Sequence, residues 1–353
     1  MSDYIESLKY FDKAIELKPD NAEIYLKKGR CLRGLSKYSE SIECFDLVLK
    51  YDKHNLSALN YKGFSLKSLS KNDESEQLFK EALNLNSNPI NSDDYSNKGL
   101  SLHGLKQYDE SLINYKKSIE LNSNDPFTYN NVGILLKSLK RFDEAIDYYN
   151  KALQLEPNYA YAYNNKGILL YILKKYTESI ECFNQAIRLY PLYSDAFKNK
   201  ANSLFEIKKY DDAILCYSKA IEIEPNCTNS YINKGNTYSQ MGKYKEAIEC
   251  YNRVIQLDSK CLDALRNKAM VYKDIKSYGE ALECFNQILD LKPDDEVRLL
   301  IPAKDRKLSK GSEPKWSEET YKVVKTQGGT ITVMVDDVEK KFKRQNLLKV
   351  ASD

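Results

Sequence analysis

The sequence predicts an all-α solenoid of stacked helix pairs, followed by a small C-terminal extension that contains a β-hairpin. Three observations predict it. A motif recurs at a fixed period: aligned on Gly29, Gly63, Gly99, Gly133, Gly167, Ala201, Gly235 and Ala269, the spacings are 34, 36 and then 34 five times. Each period carries two apolar stripes at helical spacing, separated by a short polar break. The 353 residues include only 13 Gly and 9 Pro, and no proline falls inside a repeated helical stripe. With the small residue counted as position 8 of a 34-residue repeat, eight repeats run over 22–295.

The first helix of each repeat carries Tyr, Phe or Leu at position 4, from Tyr25 to Leu265, and Leu or Tyr at position 11. The second carries a small residue at position 20 (Ser41 to Ala281) and an aromatic at position 24, from Phe45 through Tyr115 and Tyr217 to Phe285. Spacings of three, four and seven place these on one stripe of each helix, so the two helices face each other. Small residues let the backbones approach, and the aromatics fill the space beside them. Position 18 reads as the N-cap of the second helix (Ser39, Asp73, Asp109, Asp143, Thr177, Asp211), with an acid next to it that favours the positive helix end. Pro157, Pro191, Pro225 and Pro293 close second helices.

Residues 1–21 match only the second half of a repeat, through Tyr4, Ser7, Leu8, Phe11, Ala14 and Pro19. An unpartnered helix exposes apolar surface, so this end is expected to be truncated or to meet something, self-association included. The 36-residue spacing adds two residues near Asn88-Pro89-Ile90-Asn91, a tolerated surface insertion. Residues 296–353 form a basic extension with 13 basic and 9 acidic side chains. In it, 321–326 and 330–335 flank Gln327-Gly328-Gly329 as a hairpin, and the basic amphipathic run 338–350 reads as a helix.

Composition excludes several classes. Lys plus Arg number 54 against 51 Asp plus Glu, a net charge of +3 that lacks the strongly basic footprint of a nucleic-acid binder. No apolar run approaches the roughly 18 residues of a membrane span. The eight Cys are scattered without a Cys-x-x-Cys pair, and only His54 and His103 are present, so a reducing, cytoplasmic setting and no metal site are expected. There is no phosphate-binding glycine loop, no nucleophile with a nearby His and no cofactor motif, so no catalytic residue is assigned. Of the 28 Tyr, most occupy repeat positions 4, 11, 17 and 24, which makes them packing rather than a binding composition.

The aromatic, Gly, Leu or Tyr, Ala, aromatic, Ala, Pro pattern at this period closely resembles the tetratricopeptide repeat. The resemblance implies a right-handed α-solenoid of tetratricopeptide helix pairs whose first helices line a concave groove. Lys at position 7 in seven repeats departs from the family's Leu, and its stem is expected to lie along apolar surface. Cys at position 23 replaces the family's usual Tyr as a small buried filler.

Position 6 is the sharpest functional signal. It is Asn in six consecutive repeats (Asn97, Asn131, Asn165, Asn199, Asn233, Asn267), although Asn is a mediocre former of helix interiors. This ladder resembles the one lining the repeat groove of O-linked N-acetylglucosamine transferase, which implies amides holding the backbone of an extended peptide. An alternative is bonding between neighbouring repeats. A partial resemblance to cochaperones that grip C-terminal carboxylates adds Lys198 and Asn202, with Arg266 one residue out of register and Asp263 where a cation belongs. The sequence therefore reads as a noncatalytic protein-interaction scaffold binding an extended peptide or flexible protein segment. Alternatives are a self-assembling structural module or the targeting arm of a larger enzyme.

Overall fold

The computed structural model describes residues 3–34, 37–288, 296–299, 321–327, 330–335, 338–343 and 347–349. It divides into two compact units, Met1–Ser230 and Tyr231–Asp353.

The first unit opens with α1 (Asp3–Leu17) and continues as helix pairs. These are α2 (Ala22–Gly34) with α3 (Tyr38–Tyr51), α4 (Leu56–Ser68) with α5 (Asn72–Leu85), and α6 (Ser92–Gly104) with α7 (Tyr108–Leu121). Then come α8 (Pro126–Ser138) with α9 (Phe142–Leu155), α10 (Ala160–Ile172) with α11 (Tyr176–Leu189), and α12 (Ser194–Glu206) with α13 (Tyr210–Ile223). Each first helix packs on its own second helix, and each second helix on the next first helix, so the core is a chain of neighbour contacts. This is the α-solenoid the periodicity predicts.

Close approach within a pair rests on positions 8, 20 and 24. A Cβ built on Gly133 would stand 2.6 Å from the Tyr149 ring, and one on Gly167 2.7 Å from the Phe183 ring. Those rings are fully buried, as are Ser41, Ala145 and Ser179 at position 20. Position 20 serines also bond across repeats: the Ser41 and Ser65 hydroxyls are 2.8 Å apart, and those of Ser179 and Ser203 2.9 Å.

The turn between paired helices corrects the cap assignment. Position 15 is left-handed in repeat after repeat, with φ of 61° at Ser70, 62° at Lys106, 59° at Lys140 and 62° at Lys208. The Arg141 N–H then reaches back to the Leu136 carbonyl at 2.9 Å, closing the first helix with a Schellman-type bond. The second helix therefore starts at position 17, and its N-cap is position 16: Lys71, Gln107, Arg141, Lys175 and Lys209, none with a side-chain cap bond. The acids expected as caps or beside them instead occupy the first turn, as Asp143 and Glu144 do in α9. Side-chain caps belong to first helices, where Asn55 accepts from the Ala58 N–H (3.0 Å) and Asn91 from the Asp94 N–H (2.9 Å).

Position 7 lysines reach the preceding repeat. Lys28 Nζ meets Asp12 at 2.6 Å and Lys62 Nζ meets Asp46 at 2.5 Å. The two-residue insertion is pinned rather than loose: Asn86 donates to the Asp94 carbonyl at 2.5 Å, and Asp94 accepts from the Ile90 N–H at 3.1 Å. The α5 helix still packs on α6 across it.

The second unit contains most of α14 (Thr228–Gln240), then α15 (Tyr244–Leu257), α16 (Leu262–Asp274) and α17 (Tyr278–Ile288). It ends in an antiparallel sheet of β1 (Glu296–Leu299), β2 (Tyr321–Gln327), β3 (Thr330–Val335), β4 (Val338–Lys343) and β5 (Leu347–Lys349), in the order β4-β3-β2-β1-β5. The β2–β3 hairpin pairs Gln327 with Thr330, as the sequence suggests. The helix expected over 338–350 is corrected to two strands, because Val335 pairs with Val338 and Val338, Lys340 and Phe342 alternate with Glu339, Lys341 and Lys343 at period two. The run 304–310 lies outside the described residues.

Candidate functional site

Within the first unit, Asn97, Asn131, Asn165 and Asn199 are all half-buried on first helices. Most of them turn toward the preceding repeat. Asn165 donates to Asn130 Oδ1 (3.0 Å), and Asn199 donates to Asn164 Oδ1 (3.2 Å). Asn97 accepts from the Ser57 hydroxyl (3.2 Å), while Asn60 Nδ2 donates to the Asn97 carbonyl (3.1 Å). The Asn131 side chain has no hydrogen-bond partner among the described residues. In the second unit Asn267 donates to Asn236 Oδ1 at 3.0 Å, and Asn233 is half-buried in the same column.

A second column, buried Asn60, Asn130 and Asn164 at position 5, thus pairs with the first: Asn130 and Asn164 accept from it and Asn60 donates to it. Sequence reasoning missed it, although the doublets Asn130-Asn131 and Asn164-Asn165 carried the signal. Each staple uses one amide N–H. It leaves Asn165 and Asn199 a carbonyl oxygen and a second N–H, the pair of groups a peptide backbone requires.

These amides border a cavity of about 780 Å³ inside the first unit. Asn130, Asn131, Asn164 and Asn165 form one wall, from α8 and α10. Aromatic rings form the next: Tyr61, Phe127, Tyr159, Tyr161, Tyr190 and Tyr193. The third wall is α2, which supplies Lys27, Arg30, Cys31, Arg33 and Gly34. The first repeat lies against the fifth: Cys31 Sγ is 4.0 Å from the Tyr190 hydroxyl, and a Cβ on Gly34 would overlap the Tyr161 hydroxyl. Gly34 is therefore required by close approach. Nothing in one repeat's sequence reveals this contact, since it depends on rotation accumulated over several repeats.

The cochaperone-like residues are otherwise engaged. Lys198 is ion-paired with Asp195 on its own helix. Burial would depress its pKa, but the Asp195 carboxylate outweighs burial and the net shift is upward. Exposed Arg266 donates to Asp263 at 2.9 Å. Asn202 Oδ1 accepts from the Tyr217 hydroxyl at 2.6 Å within the same repeat.

Burial sets the protonation of several thiols and of His103. Burial pushes the Cys31 thiol up to about 12, and the Cys44 and Cys250 thiols to about 11, with the position 7 ammoniums Lys28 and Lys234 opposing in the latter two. His103 falls to about 4, through burial and then the nearby Lys67 and Lys137 charges. All eight Cys are free, and among the described residues no group of three or more His, Cys, Asp or Glu could hold a metal. No described helix is long and apolar enough to cross a membrane.

Tetratricopeptide repeat models match residues 10–43, 95–125, 126–159, 160–193, 194–227, 228–261 and 262–295, together about two thirds of the chain. No curated protein matches this sequence. Among solved structures, the chain is similar to YrrB, described as a TPR protein with an unusual peptide-binding site, at 27% identity over 51% of this chain and 93% of that one (TM-score 0.44). It is similar to pilF of Pseudomonas aeruginosa at 20% identity over 56% of this chain and 90% of that one (TM-score 0.50). It is also similar to a chain of the APC/C hetero-tetramer Cut9–Hcn1 at 15% identity, over 76% of this chain and 53% of that one (TM-score 0.55). The repeat matches, the helix pairs and their spacing agree: this chain belongs to the tetratricopeptide repeat family, whose stacked helix pairs are scaffolds for protein–protein interaction.

Proposed function

We propose that the protein is a noncatalytic scaffold that holds an extended peptide, or a flexible segment of a partner protein, in the groove of its first unit. The observation that carries this reading is Asn131, a half-buried amide without a hydrogen-bond partner among the described residues, on the cavity wall beside Asn165. An amide of this kind can pair with a peptide group of any sequence. Asn97 and Asn199 extend the row within the unit, while Asn233 and Asn267 continue the pattern in the second. Lys198 and Asn202 of the first unit contact a ligand only where it displaces Asp195 or Tyr217 from them, and Arg266 of the second only where it displaces Asp263. The noncatalytic reading is supported by thiols that burial keeps protonated at neutral pH and by the burial of His103.

The test is a display screen of random peptides against the full chain, followed by titration of a selected peptide. Replacing Asn131, Asn165 and Asn199 by Ala should weaken binding roughly tenfold or more with helicity unchanged. Unchanged affinity would make the ladder purely structural.

A second reading, self-association through α1, is favoured by its exposed Tyr10 and Leu17. A monomer by light scattering at micromolar concentration would sink it.

A further inference from the structure

Two arginines of α2 enter the cavity in an unusual state. The Arg30 guanidinium lies 4.7 Å from the Phe127 ring centroid and 5.1 Å from that of Tyr61, and the Arg33 guanidinium lies 5.6 Å from Tyr61. A cation–π contact does not itself consume the N–H hydrogen bonds of a guanidinium. Neither arginine makes an ion pair with a described carboxylate, whereas Lys27 on the same helix is bound to Glu23 at 2.8 Å. The cavity's own acids do not reach them: Asp195 is bound to Lys198, and Glu156 accepts the Asn158 N–H at 3.3 Å.

A third group points the same way. The Tyr161 hydroxyl is buried at the cavity wall beside Gly34 and has no hydrogen-bond partner among the described residues. Burial raises its pKa, so it stays protonated and retains a proton to donate. The other orphan tyrosines, Tyr115 and Tyr149, belong to an apolar cluster with Leu100 and Leu135 and have no cation beside them. Leaving a buried hydroxyl unpaired is costly unless something else occupies the site. Three cations and two carboxylates line the cavity, and one carboxylate cancels that surplus of a single positive charge. A dianionic phosphate would overshoot it, toward repulsion from Glu156 and Asp195.

Resting on the groove reading above, we propose that Arg30, Arg33 and Tyr161 form a carboxylate-binding subsite spanning the first and fifth repeats. The groove thereby selects extended peptides carrying an acidic side chain. The site uses one helix on each side of the cavity rather than consecutive repeats, so it forms only when the first repeat is seated against the fifth.

The test uses the full chain and three fluorescein-labelled peptides of about a dozen residues, alternating Ser with Glu, with Gln or with phosphoserine, followed by anisotropy. The Glu peptide should bind about tenfold tighter than the Gln peptide, with the preference shrinking as salt is raised. Arg30→Gln and Arg33→Gln should each remove most of that preference, lowering Glu-peptide affinity far more than Gln-peptide affinity, and Tyr161→Phe should reduce it. Arg30→Lys, which keeps the charge on a point ammonium, should retain part of it, separating recognition from loss of packing. Equal binding of the Glu and Gln peptides overturns the carboxylate site and leaves the groove reading standing, whereas no binding by any peptide overturns both. Arginine variants that lose both peptides equally, or tighter binding of the phosphoserine peptide, also overturn the assignment.

Discussion

The Tyr217 hydroxyl donates a hydrogen bond to Asn202 Oδ1 at 2.6 Å, linking position 24 of a repeat to position 9 of its first helix. Tyr251 and Asn236 repeat the pair at 2.7 Å in the second unit. In the third and fourth repeats position 9 is Leu100 and Ile134, and there the buried Tyr115 and Tyr149 hydroxyls lack a partner. Asn202→Leu should therefore cost about 1–3 kcal/mol by stranding a buried hydroxyl, while Tyr149→Phe should be neutral or slightly stabilising. Denaturant midpoints followed by circular dichroism check both, as differences between variants of one chain.

The left-handed turn residues make the opposite kind of prediction. Lys140 holds φ at 59°, whereas the equivalent residue of the seventh repeat is Gly242 at 73°. Lys140→Gly should stabilise by about 1 kcal/mol, since it relieves the Cβ clash of that conformation. Gly242→Ala should destabilise by a similar amount, although the added methyl meets nothing within 4 Å. The shift in denaturant midpoint measures each.

His103 gives a pH dependence with a definite sign. It is packed edge-on between Phe64 (6.0 Å) and Tyr108 (5.8 Å), and its folded pKa of about 4 lies below the ordinary 6.5. Between those values the unfolded chain holds a proton that the folded chain refuses. Stability should thus fall as pH drops through that window and level off below it, by roughly 3 kcal/mol at most. His103→Phe should remove this part of the acid sensitivity, and subtracting its stability-versus-pH curve from that of the parent isolates the contribution.

Closure of the first repeat on the fifth is testable through a thiol. Cys31 is buried beside Tyr190, and Gly34 has no room for a side chain against Tyr161. Gly34→Ala should separate α2 from α10 and raise the rate of Cys31 alkylation several-fold. Mass spectrometry reads it, with buried Cys182 as the internal control.

The helix pairs were legible because one small residue and one aromatic must meet in every repeat, so Gly133 and Tyr149 are written into the period. The asparagine ladder was legible as a column, but its partners were not: Asn130 and Asn164 belong to the preceding repeat and differ from the Ser96 and Lys198 found at the same position elsewhere. The caps were displaced by two residues because the left-handed turn at Lys140 and its neighbours advances the second helix, and non-glycine residues conceal such a turn. The run from Val338 satisfies both a helical and a strand period over so short a stretch, and pairing with β3 decides it. The cationic wall at Arg30 and Arg33 was invisible, since position along the chain says nothing about which repeats meet across a groove.

Hydrogen exchange of the full chain, with and without a saturating peptide selected in the display screen, tests the central claim most directly. New protection is expected in α2, α8 and α10, the helices that carry Arg30, Asn131 and Asn165. Protection confined to the outward helices α9 and α11, or absent from the first unit altogether, would contradict it.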